Sequence, residues 1–252
     1  MTNYLRSSKF GHVECVEEPC CAKCDEKTKP ACDTGCKSSP AVEHVVLFNM
    51  PFLQGDQEAK VLRCLYDLQF RFECVDALVV GRVLNKVENV THCLFMRFPT
   101  LETLKNFYKS DALSKVLCSM APHLHGEIVV DYVSSTGPLD TECKDPVCMS
   151  LTLLRRKRDV PPGEMDCSLF SLKTLADGYC FVSDFSFGSS LYICGDKHYT
   201  NAFASFTKSL CDLDKLLEDL QYTKLLHLKV LPLSCSTIHV NVLAFKPIKS
   251  CL

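Results

Sequence analysis

The sequence predicts an α+β protein of two tandem ferredoxin-like units, each β-α-β-β-α-β, packed sheet to sheet into a barrel-like body. Two observations carry this. The same order of segments occurs twice, from Val42 to Val133 and from Val147 to Phe245, and such self-similarity constrains architecture before function. In each copy the helical patterns fall on one side of the strand order, so every sheet keeps an open face that its twin can cover.

The first copy opens with Val42 to Phe48, a run of β-branched and large apolar residues that suits a buried strand. Turn residues Pro51, Gly55 and Asp56 follow. Val61, Leu62, Leu65, Leu68 and Phe72 then recur at spacings of three and four, one face of a helix. Cys74 to Leu84 and Val90 to Phe98 read as strands. Thr100 is a suitable N-cap for a helix carrying Leu101, Leu104, Phe107 and Tyr108, and Glu127 to Val133 closes the unit. A polar linker runs from Ser134-Ser135-Thr136-Gly137-Pro138 through Asp145-Pro146. The second copy has a strand at Cys148 to Leu154 and a helix opened by Pro161-Pro162-Gly163 that carries Met165, Leu169 and Leu172. Strands follow at Tyr179 to Phe187 and Tyr199 to Phe206, then a helix with Leu213, Leu216, Leu217 and Leu220, and a last strand at Thr237 to Phe245. The resulting domain reading is a disordered Cys-rich tail over 1–40, a first unit over 41–134, a linker over 135–146 and a second, divergent unit over 147–248.

A net charge of −2 over 252 residues gives no nucleic-acid footprint. No apolar stretch reaches the roughly 18 residues of a membrane helix, and the N-terminus lacks the apolar core of a secretory signal. The expectation is a soluble cytoplasmic protein whose 18 cysteines are mostly thiols. Its partner would be a small apolar molecule, with no cofactor, nucleic acid or membrane. The chain would act as a monomer with an internal pseudo-dimer, or as a homodimer. The end Ser250-Cys251-Leu252 resembles a degenerate peroxisomal address, which keeps that compartment as the alternative.

The strand VEHVVLF, the central VTHCLFMRFPTLETLKNFYKS and the closing GEIVVDYV together resemble the stress-responsive dimeric α/β barrel domain. The run SSTGPLD into a second, divergent copy is similar to the tandem-domain plant members of that family. The resemblance implies a pseudo-dimeric α/β barrel with a pocket for a small apolar ligand, to which Phe48, Phe95, Phe107 and Leu113 are assigned. One plant member of the family is a polyketide cyclase that uses a tyrosine and a histidine on the second helix with histidines on the first and third strands. His44 and His92 match the strand histidines. The tyrosine position falls on Phe107 with Tyr108 next to it, and the helical His-Pro-x-His reads Ser110-Asp111-Ala112-Leu113. Other members are described as stress or defence proteins. The resemblance therefore implies a stress- or defence-associated binding protein or, alternatively, a cyclase using His44 and His92 with Tyr108 one helical position away.

Aldol-type cyclisation needs a base near neutral pKa and a donor for the enolate, which paired His and Tyr side chains supply. The bland alternative is that each histidine makes one hydrogen bond in an apolar layer. In the tail, Cys21-x-x-Cys24 and Cys32-x-x-x-Cys36 offer four thiolates for tetrahedral zinc or a reactive thiol cluster, a third functional class of thiol or metal buffering. His123-Leu124-His125 reads as a surface loop or half of a metal site. Arg155-Arg156-Lys157-Arg158 reads as a solvated strand end or an import signal. Nucleotide-binding glycine loops and the G-x-S-x-G elbow are absent.

Overall fold

The computed structural model describes residues 40–72, 75–136, 147–192 and 198–247. The tail with Cys21, Cys24, Cys32 and Cys36, most of the linker, and Ser250-Cys251-Leu252 lie outside the described residues.

The first copy contains β1 (Val42–Asn49), α1 (Gly55–Tyr66), α2 (Leu68–Arg71), β2 (Ala77–Val87), β3 (Val90–Phe98), α3 (Leu101–Tyr108), α4 (Asp111–Met120) and β4 (Gly126–Val133). Helix α1 buries Val61, Leu62 and Leu65 as the spacing predicts. The helical pattern does not run on through Phe72. That residue is extended, and its ring sits edge-on to Phe98 and Phe107 at 6.2 and 5.7 Å. Thr100 caps α3, its Oγ accepting from Thr103 N at 3.1 Å. The second helix is broken once, because Ser110 supplies another cap and accepts from Leu113 N.

The second copy contains β5 (Cys148–Arg156), α5 (Pro162–Ala176), β6 (Val182–Ser189), β7 (Asn201–Thr207), α6 (Leu210–Glu218), α7 (Leu220–Leu225) and β8 (Ser234–Leu243). A π turn at Leu226–Val230 and a 3₁₀ turn at Leu231–Leu233 lead into β8. Strand β6 starts three residues later than the pattern suggests. Tyr179 stacks on Phe181 at 5.0 Å and donates to Asp219 at 2.6 Å, which ties this stretch to the helices.

The strands form one eight-stranded antiparallel sheet among the described residues, in the order β4-β1-β3-β2-β8-β5-β7-β6. Its free edges meet through the bridge Tyr132↔Ser190 and through Ser135 N to Phe187 O and Leu191 N to Asp131 O, each 2.8 Å. The result is a nearly closed barrel with two seams, β2–β8 and β4–β6. A pseudo-twofold axis relates them. Phe245 N to Val80 O repeats Ser135 N to Phe187 O, and Ala244 N to Val147 O repeats Ser134 N to Ala41 O. Each seam also rests on a glycine. A Cβ on Gly81 would collide with the carbonyl oxygen of Leu243, and one on Gly188 with that of Val133.

Strand alternation produces three cores. The barrel interior holds Val45, Leu47, Val79, Phe95, Met149, Leu151, Leu153, Phe206 and Val240 among others, with Phe95 and Phe206 in ring contact at 5.0 Å. Two outer cores lie between each half-sheet and its helices, one around Leu94, Phe98 and Phe107, the other around Leu172, Phe185 and Phe203. Each fully buried large apolar side chain contributes about 2 kcal/mol relative to exposure. The β4–β6 end of the interior is polar. Arg97, fully buried, donates to Glu43 and Asp184 at 2.8 Å each, and Ser134 and Ser186 donate to Glu43 at 2.9 and 2.7 Å.

Candidate active site

Strand β1 alternates Glu43, Val45 and Leu47 toward the barrel interior with His44, Val46 and Phe48 toward the helices. His44 therefore lies in the outer layer, next to β4, where Asp131 is its direct cross-strand neighbour. His44 Nδ1 donates to Asp131 Oδ1 at 2.7 Å. The Tyr108 hydroxyl, at the end of α3, donates to Asp131 Oδ2 at 2.7 Å and lies 3.0 Å from His44 Nδ1. Phe107 and Tyr108 both pack edge-on to the imidazole, at 5.9 and 5.3 Å. One carboxylate thus accepts from both neighbours. That network assigns the His44 proton to Nδ1 and leaves Nε2 as the unprotonated nitrogen.

His44 and Asp131 are 3% and 5% exposed, so water competes little for these bonds. Burial, together with the negative charge of Asp131, pushes the Tyr108 phenol far above its ordinary range, so it remains an O–H donor. The second copy builds the outer wall. Leu191 N holds the Asp131 backbone carbonyl, and Tyr192, half exposed, is raised by burial and by the Asp131 charge.

His92 faces the same helix layer but is not part of this cluster. In the β1–β3 register His44 pairs with Met96 and Phe48 with His92, a displacement of four residues or about 13 Å. His92 Nε2 instead meets Glu58 Oε1 at 3.0 Å, and its Nδ1 meets Thr91 Oγ1 at 2.8 Å. Arg82 donates to both oxygens of Glu58 at 2.8 and 2.7 Å. Burial lowers the His92 pKa although Glu58 opposes the shift, so the ring is neutral near pH 7. The hydrogen bond from Arg82 holds the Glu58 carboxyl below its usual range.

Of the residues assigned to a ligand pocket, Phe48, Phe107 and Leu113 share the helix-side core with the His44 cluster, whereas Phe95 lies on the opposite face of β3 inside the barrel. The four do not line one cavity. His123 and His125 sit in the turn before β4, where His125 packs against Phe52 at 5.3 Å. Asp131 and Glu58 were missed by sequence reasoning. The usable signal for Asp131 was an acid on an apolar strand, where a buried carboxylate needs a partner.

The strand registers also locate the counterparts in the second copy. Ser150, Ser205 and Asn241 occupy the places of His44, Met96 and Asp131. The Glu58–His92–Arg82 group becomes Asp166, Asn201 and Ser189, in which Asn201 Nδ2 and Ser189 Oγ each donate to Asp166 at 3.2 Å. Neither counterpart retains an imidazole.

No helix among the described residues is long and apolar enough to cross a membrane. No family model matches the chain, and no curated protein matches it in sequence. Solved structures match in shape. A monooxygenase-like protein of Fusobacterium nucleatum subsp. nucleatum aligns with TM-score 0.60 and 9% identity over 82% of this chain and 94% of its own. An anthrone oxidase-like protein aligns at 0.54 and 9% over 82% and 92%. A chlorite dismutase variant of Candidatus Nitrospira defluvii aligns at 0.53 and 12% over 82% and 91%. At these identities the likeness is one of architecture, and the chain has the α+β fold of the ferredoxin-like α/β barrels, with both halves in one polypeptide.

Proposed function

We propose that this is a tandem protein of the stress-responsive dimeric α/β barrel type that carries out general acid/base chemistry on a small, mostly apolar carbonyl compound. The observation that carries the reading is the His44–Asp131–Tyr108 cluster. His44 Nε2 takes the proton next to a carbonyl, and the Asp131 carboxylate faces the positive charge that forms on the ring. Tyr108 turns its O–H from Asp131 to the developing enolate oxygen. In an intramolecular aldol cyclisation the enolate carbon attacks a second carbonyl of the same molecule, and the proton held by His44 returns to the new alkoxide. His92 stands apart, paired with Glu58, and has no place in this step.

The test is incubation of the protein with linear polyketide substrates and analysis of the products. Cyclised product is expected, with His44→Ala losing about 10²–10⁴ of the rate and Tyr108→Phe about 10² or more, while His92→Asn stays within a few-fold of the parent. If no product forms, or if His44→Ala is as active as the parent, the acid/base reading fails.

A second reading, binding without turnover in a stress or defence role, is favoured by Phe107 and Leu113. They stand where the cyclase pattern has its helical tyrosine and histidine, and both are buried in the helix-side core. Binding of a small apolar ligand without change to it, disturbed by Phe107→Ala, would support this reading over the first.

A further inference from the structure

Outside the His44 cluster, one shallow, open surface combines an apolar floor with more cations than anions. It runs between the outer side of α1 and the segment that follows β8, with a volume of about 560 Å³. Ala59, Cys64, Phe245 and Pro247 make the floor, Lys60, Arg63 and Lys246 carry cations along it, and Asp56 stands at one end. On α1 the lining runs over nine residues from Asp56 to Cys64, about 12 Å of helix. The opposite wall is anchored, since Ala244 N and Phe245 N bond to Val147 O and Val80 O at 2.8 and 2.7 Å. The Phe245 ring also contacts Tyr66 at 6.3 Å, and Tyr66 contacts the 69% exposed Phe70, so the apolar strip continues past the groove. Asp67 holds Arg63 through its Nε at 3.0 Å, which fixes that guanidinium beside the groove.

An elongated apolar floor under several cations matches a molecule with a hydrocarbon body and one negative head. We propose that this groove binds a monomeric amphipathic carboxylate, the body lying along Ala59, Cys64 and Phe245 and the head between Lys60, Arg63 and Lys246. The site is separate from the His44 cluster and does not depend on its chemistry.

The test uses the full chain and the fluorescent fatty acid dansylamino-undecanoic acid, titrated below its micelle concentration. Saturable binding to one site is expected, about tenfold weaker in the double variant Lys60→Glu, Arg63→Glu and lost in Ala59→Trp, which fills the floor. The alcohol of the same chain length should compete about tenfold less well than the acid, and His44→Ala should bind the probe like the parent. Alkylation of the half-buried Cys64 thiol by iodoacetamide, followed on its peptide by mass spectrometry, should slow when the acid is present. The proposal is overturned if the probe does not bind, if the charge-reversed variant binds as well as the parent, or if Cys64 is not protected. It is equally overturned if the chain sediments with phosphatidylserine vesicles but ignores the monomeric acid.

Discussion

At the β2–β8 seam the interior positions are Ala77, Val79, Met149, Phe206 and Val242; at the β4–β6 seam the equivalent places hold Asp184, Ser186, Glu43, Arg97 and Tyr132. The backbone bonds and the glycine are the same on both sides, while the side-chain chemistry is opposite. Outside the barrel the contrast recurs, with His44, Asp131 and Tyr108 on one copy and Ser150, Asn241 and Leu217 on the other. The polar seam and the His44–Asp131 pair belong to the same strands. Glu43 precedes His44 and Tyr132 follows Asp131, so alternate residues of β1 and β4 serve the clamp inside and the cluster outside. The duplication thus separates the scaffold, present twice, from the His44–Asp131–Tyr108 cluster, present once.

The largest effect should come from breaking the polar seam. Arg97→Phe alone leaves Glu43 and Asp184 without their cation, and unfolding experiments should show a loss of about 3–5 kcal/mol. Copying four of the other seam's five interior residues, with Glu43→Met, Arg97→Phe, Asp184→Ala and Ser186→Val together, should recover most of that loss, because matched apolar packing often equals a buried ion pair. If the fourfold variant is as unstable as the single one, the two seams are not interchangeable and the pseudo-twofold reading of this end is wrong.

A smaller effect tests what the seams share. Gly81→Ala and Gly188→Ala each force a Cβ onto a carbonyl of the neighbouring strand and should cost about 1–3 kcal/mol apiece. Thermal denaturation of the two variants should give similar losses. A large loss in one alone would mean that one seam can yield.

The smallest effect is a pH dependence, checked with His92→Asn, which imitates Asn201. Burial depresses the His92 pKa in the folded chain, so the unfolded chain binds the proton more readily. Its contribution to stability is full above the unfolded value near 6.5 and is lost as pH falls through the folded value. Denaturation midpoints measured from pH 8 to 5 should fall less steeply in His92→Asn than in the parent. Some slope should remain, since His239 is also lowered by burial.

The order of elements was legible because strand and helix leave different periods, and the cap Thr100 does what its type implies. The breaks in the helices were not, since Ser110 and Asp219 read as ordinary polar residues until their side chains are seen to cap α4 and α7. Placing His44 and His92 on neighbouring strands was sound, but pairing them in one site needed the register, which only cross-strand hydrogen bonds set. Tyr108 reaches His44 although it stands one position from the expected tyrosine; Phe107 turns into the core beside it. Arg97 could not be read as a clamp, because its partner Asp184 lies in the other copy, 87 residues away in sequence.

Because both halves of the barrel share one chain, each half meets its twin at a concentration set by the tether and not by dilution. In a barrel assembled from two identical chains, every substitution at a seam is made at both seams together. Here it is made at one. A buried arginine with two carboxylates could therefore accumulate at one seam without being imposed on the other, and the tether is what makes such one-sided specialisation physically open to the fold.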